Sequence, residues 1–138
     1  PSASGRQIDP AKKYAEGVDL LKQSNWKQAA KAFNEVLDVA PRDPNTNYMM
    51  SLAKIGDSNF NDARKYLRNA VKYQSSFPQA RGWLGAVEAK LGDPGKANEQ
   101  KTALVDLKTK CAGTCPELAS IEAAIAAVAF GRSPNDRT

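Results

Sequence analysis

Cys111 and Cys115 are the only cysteines in the chain, with three residues between them in the run CAGTC. Thiol chemistry at that spacing has three forms, preferred in this order. A structural disulfide comes first, because Gly113 gives the turn the freedom that so short a bridge needs. With no His in the chain to share a metal, two cysteines suit an oxidising compartment. Plain reduced thiols come second. A redox-active pair comes third, since thiol oxidoreductases favour two intervening residues within an α/β fold, although Cys115 does stand before Pro116 at a helix start. The disulfide reading implies export, to a bacterial periplasm or an extracellular face. Over so short a loop the chain-entropy model gives only about 2 kcal/mol, enough to pin a helix junction.

Other chemistry finds little support. Without His, the commonest acid–base group and metal ligand is missing. Ser, Asp and Glu are scattered, with no nucleophile motif, paired carboxylates or phosphate-cradling glycine loop. We therefore expect a protein that is not an enzyme and needs no cofactor or metal. Arg64, Lys65, Arg68 and Lys72 recur at helical spacing. Phosphate or nucleic-acid binding is the functional use of such a stripe. A solvated outer helix face is the ordinary one, and is expected here.

The elements that carry these residues follow a 34-residue step. Pro10, Pro44 and Pro78 keep it, as do Gly17, Ser51 and Gly85, then Asn25, Asn59 and Asp93, then Ala29, Ala63 and Ala97. A period of that length, built from two short helical patterns, marks a helix–turn–helix array. Asp9 and Asp43 precede prolines at helix starts, where the first N–H has no intrahelical partner. Asn25, Asn59 and Asp93 can cap the second helix of each pair, with Gln28 placed for a capping box. Short turns make the paired helices antiparallel. Gly17, Ser51 and Gly85 are small where helices cross closely, and Phe33 and Leu67 fill the space beside them. Leu37, Val71 and Val105 should pack on the adjacent turn. Lys101 breaks the pattern where Phe33 and Leu67 stand.

The small residue in the first helix, followed by Ala29, Phe33, Val36 and Pro41 in the second, resembles the tetratricopeptide repeat family over about residues 10–130. The resemblance implies an all-α fold: an α-solenoid of three units (10–43, 44–77 and 78–111) with a C-terminal capping helix over 116–130. Residues 1–9 would form a flexible lead-in and 131–138 a disordered tail. In the capping helix Leu118, Ile121, Ile125 and Val128 form the apolar stripe, and Ala123 takes the place of Gly17, Ser51 and Gly85. That helix would be a fourth, unpaired first helix. With the Cys-x3-Cys loop before it, the chain looks like an exported bacterial member of the family.

The resemblance also implies a groove lined by the first helices, which takes an extended peptide or a partner's helix. By register its lining is Tyr14, Val18 and Lys22, then Asn45, Tyr48 and Leu52, then Gln79 and Lys90. Tyr14 and Tyr48 could stack on a peptide and bond it, or simply pack helix on helix. One subfamily clamps chaperone C-termini with Lys, Asn and Arg. Tyr14, Val18, Met49, Gln79 and Trp83 stand at the matching places, so recognition of a terminal carboxylate is not expected. Trp83, beside Leu84, is expected in the core.

Composition agrees with a single soluble domain: 138 residues, 41% apolar, 25% charged. No apolar run reaches the ~18 residues of a membrane span. The net charge of +5 is spread without a basic block, so nucleic acid is not the expected partner. A scaffold binding a protein partner is the leading expectation, with thiol–disulfide or redox-sensing function through Cys111 and Cys115 as the alternative. A monomer is expected, the Ala-rich outer side of 116–130 being the surface open to self-association. The first residue is Pro1 rather than Met, and the sequence is silent on a leader peptide.

Overall fold

The computed structural model describes the backbone of residues 7–136 and the side chains of residues 7–128. It is helical throughout the described residues. The helices are α1 (Pro10–Lys22), α2 (Trp26–Val39), α3 (Pro44–Gly56), α4 (Phe60–Tyr73), α5 (Pro78–Lys90), α6 (Pro94–Cys111) and α7 (Leu118–Asp136). They stack as three antiparallel pairs, α1–α2, α3–α4 and α5–α6, with α7 as a cap. The result is an α-solenoid.

Side chains set the helix starts. Asp9 accepts from the N–H groups of Ala11 and Lys12, Asp43 from Thr46, Asn59 from Asp62 and Asp93 from Lys96. Each satisfies donors that the first turn leaves orphaned. Asn25 makes no side-chain cap bond, so the expected capping box with Gln28 is not formed.

The turn inside each pair has one shape repeated three times. Ser24, Ser58 and Gly92 stand 34 residues apart and all have left-handed backbone, with φ of 58°, 58° and 86°. The following N–H, of Asn25, Asn59 or Asp93, reaches back to the carbonyl of Leu20, Lys54 or Glu88 at 2.8–2.9 Å. This closure satisfies the last carbonyls of the first helix and delivers the capping residue of the second. Only Gly92 adopts that conformation without steric cost.

Three apolar clusters run along the stack. Phe33 with Ala29, Met50 and Ala53 joins the first pair to the second. Leu67 with Ala70, Phe77, Ala80, Leu84 and Val87 joins the second to the third. Leu104 with Ala97, Ala124 and Val128 joins the third to α7. Buried Asn47 is satisfied by donating to the carbonyls of Pro41 and Asp43 and accepting from Asn69.

Close crossings explain the small residues. A Cβ on Gly17 would lie 2.6 Å from Cε1 of Phe33. On Gly85 it would lie 2.5 Å from Cγ2 of Val128, a residue of α7. In the third pair Lys101 stands where Phe33 stands in the first, and α7 supplies the apolar group instead. Accordingly α7 makes its main contact with α5 and a lesser one with α6. By contrast, α1 and α3, which bear the relation expected of α5 and a next first helix, barely touch. Ala124, not Ala123, meets the small site at Gly82, and Ala123 is exposed. Val105, expected to pack, is 46% exposed.

Helix α7 also differs in extent. It starts at Leu118 rather than 116, and its backbone stays helical through 131–136, where a disordered tail was expected. The Ala-rich run before that point has high helix propensity, and each further residue adds a bond to an existing helix. Residues 137–138 of that tail and 1–6 of the lead-in lie outside the described residues.

Two ion pairs to one carboxylate join the second and third units. Glu88, 1% exposed, accepts from Arg68 at 2.7 Å and faces Arg64 at 3.6 Å. Two of the four cations in the expected solvated stripe are therefore turned toward a buried carboxylate. The other two, Lys65 and Lys72, lie over the rings of Tyr66 and Tyr73.

Three stability measurements check this packing. Ser58→Gly relieves a left-handed serine and should raise stability by about 0.5–1 kcal/mol, read from the urea midpoint. Gly17→Ala should lose about 1–3 kcal/mol by overpacking. Gly95→Ala, whose Cβ would stand 3.6 Å from Asp93, should not. Arg68→Met should cost about 1–3 kcal/mol by removing the hydrogen-bonded partner of a buried carboxylate and leaving it only Arg64 at 3.6 Å, and adding Glu88→Leu should recover most of it.

Candidate functional site

The first helices α1, α3 and α5 share a face that carries two adjoining depressions. One, of about 350 Å³, is lined by Leu21 and Lys22 of α1, Trp26 of α2, Leu52, Ile55 and Gly56 of α3, and Trp83 of α5. The other, of about 200 Å³, lies between Tyr48, Gln79, Gly82 and Trp83 on one side and Ser120, Ala123 and Ala127 of α7 on the other. Trp83 lines both, so the two depressions adjoin at its ring and together make up the channel.

Trp83 is 40% exposed, contrary to the expected core position. Its place in the repeat is shared with Ala15, which is exposed, and Met49, which is half-buried. The column therefore faces outward, and a large ring there stands at the surface. Trp26 reaches the channel because Gly56 has no side chain. A Cβ on that glycine would collide with the indole.

The residues expected to line the groove divide. Lys22 and Leu52 meet at the first depression, Tyr48 and Gln79 at the second. Lys90 lies one repeat beyond Gly56, with its Nζ 5.0 Å over the Phe60 ring. Tyr14 and Val18 belong to the core around Phe33, the Tyr14 ring lying edge-on to it at 5.8 Å. Asn45 is exposed and lines neither depression.

Tyr48 packs helix on helix, one of the two readings given for it. Its ring is tilted on Phe77 at 5.0 Å, while its side chain borders the channel. Burial raises its phenol pKa above the ordinary value, and a polar contact from Trp83 pulls it partly back. Burial, and then the Asp43 carboxylate, raise that of Tyr14. Gln79 donates to Ser120 Oγ at 3.5 Å and ties the channel wall to α7.

Cys111 and Cys115 lie on the α6–α7 connection, with sulfur atoms at bonding distance and Cα atoms 5.1 Å apart. Neither lines the channel. Among the described residues no group of three or more His, Cys, Asp or Glu is placed to hold a metal ion, and no helix is long and apolar enough to cross a membrane.

Trp83, Trp26, Ile55 and the α7 wall were missed by sequence reasoning. For Trp83 the outward column 15, 49, 83 was the available signal. The α7 wall has none, since it follows from where that helix docks.

A tetratricopeptide repeat family model matches residues 14–49 and 48–100. No curated protein matches the chain significantly. Similar solved structures include the MamA RS-1 ArsTM double mutant, 25% identical over 73% of this chain and 57% of that one, with a TM-score of 0.71. MamA 41-end from Desulfovibrio magneticus RS-1 is 26% identical over 71% and 55%, with a TM-score of 0.68. This chain thus spans little more than half the length of the MamA chains. The TPR2B-domain:pHsp70 complex of yeast Sti1 is 20% identical over 89% and 98%, at a TM-score of 0.72, and shows the shared fold. With the family model covering well over half of its residues, the chain belongs to the tetratricopeptide repeat family.

Proposed function

We propose that the chain is a non-catalytic scaffold that docks a peptide or helix of a protein partner along the channel of its first helices. The observation that carries this is the exposed Trp83, which links the two depressions. Large aromatic side chains at the surface with a polar handle are the usual anchors of protein interfaces. Tyr48 and Gln79 offer polar groups along one depression, and Leu52 and Ile55 an apolar floor in the other. The MamA and Sti1 structures support a scaffold of this kind, the Sti1 domain being a complex with pHsp70.

A cell-envelope location accompanies this proposal. A cysteine pair at disulfide distance suits an oxidising compartment. The bridge would act structurally, fixing the α6–α7 junction and with it the wall of the second depression.

Site-specific photo-crosslinking in extracts of the source cells tests the docking face. A photoreactive phenylalanine at Trp83 or Gln79 should give the same discrete protein adduct. One at Lys65, on the far side of α4, should not. Equal adducts at all three positions, or none at Trp83, would contradict the proposal.

A further inference from the structure

The notch between Trp26 and Trp83 is marked by charge as well as shape. Lys22, Gly56 and Lys90 occupy one column of the repeat, 34 residues apart, near the ends of α1, α3 and α5. The two second-helix aromatics meet this column in the same way: Trp26 lies against Gly56, and Phe60 lies under the ammonium of Lys90. The missing side chain at Gly56 thus seats the Trp26 indole, and the apolar notch beside that indole falls between the two lysine positions of the column. Lys22 lines the notch itself.

No carboxylate answers these charges locally. Among the described residues neither Lys22 nor Lys90 belongs to an ion pair, and no acidic residue lines the notch. Helix α3, its floor, has no Asp or Glu in 13 residues. Asp57, just past its end, is held by Lys27 at 3.1 Å. Glu88, on α5, is buried against Arg68. The notch is therefore apolar inside, with Lys22 at its lining and Lys90 one repeat beyond Gly56 along the same column.

We infer that this notch takes an acidic peptide segment through one large apolar side chain, with carboxylates on either side of that anchor meeting Lys22 and Lys90. This deepens the docking proposal and rests on it. At about 350 Å³ the notch is at the small end of ligand pockets, roughly 300–1,000 Å³. It suits a single Trp, Phe or Leu side chain between the two indoles rather than a whole helix. The buried anchor supplies most of the affinity. The exposed lysines contribute less, chiefly to orientation and association rate.

A random dodecapeptide library displayed on phage and selected on the intact protein supplies the probe. The consensus is then made with an amidated C-terminus, so that its charge comes from side chains alone, and titrated by fluorescence anisotropy. The expected consensus has one Trp, Phe or Leu with Asp or Glu on one or both sides. Trp83→Ala should weaken it by about tenfold or more. The Lys22→Glu/Lys90→Glu variant should weaken it several-fold and flatten its salt dependence. Far-UV circular dichroism confirms that each variant keeps its helices.

Neutral or basic consensus peptides that still lose affinity with Trp83→Ala would overturn the acidic assignment and leave the docking face standing. Peptides indifferent to both Trp83→Ala and Tyr48→Ala would overturn the two together. A selection that yields no binder also overturns the acidic assignment.

Discussion

One contact sets the geometry of this molecule: a large apolar group seated on a residue with little or no side chain. In the first unit Phe33 lies on Gly17, so close that a Cβ there would stand 2.6 Å from the ring. In the last, Val128 lies on Gly85 at a comparable approach. The donor differs, because Lys101 occupies the Phe33 position and an ammonium is not buried there. Helix α7 makes up the deficit and is drawn onto α5, where Gly82 and Ala124 let the two backbones approach. The polar residue in the repeat thus coincides with the place where the cap docks.

That docking has a geometric consequence. A helix continuing the solenoid would extend the face of the first helices. Lying on α5 instead, α7 walls off its end, placing Ser120, Ala123 and Ala127 opposite Tyr48 and Trp83. The channel is therefore short. Its apolar half is shaped by a second small residue, Gly56, whose absent side chain admits Trp26. Small residues position both halves: at Gly82 and Gly85 they bring α7 in, and at Gly56 they let an indole through.

Repeat register made the helices legible, because prolines, capping residues and small residues all kept the same step. The left-handed turns were not legible at Ser24 and Ser58, since serine gives no sign of positive φ. Only comparison with Gly92 reveals them. Lys22, Leu52, Tyr48 and Gln79, expected by column in the groove, line the two depressions. Trp83 was misplaced by attention to its neighbour Leu84 rather than to its own column. The basic stripe on α4 was visible, but its partner Glu88 is 20 residues on from Arg68 and on another helix. Such a pairing depends on the angle between units, which periodicity does not encode. The place of α7 depends likewise on tertiary packing.

Hydrogen exchange on full-length Val128→Ala tests most directly whether a side chain of α7 completes the last unit. In a stack whose units contact only their neighbours, damage stays local. Amides of α5, α6 and α7 should exchange faster than in the wild type, while those of α1, α2 and α3 keep their rates. Unchanged protection in α5 and α6, or an equal loss along the whole stack, would contradict the account.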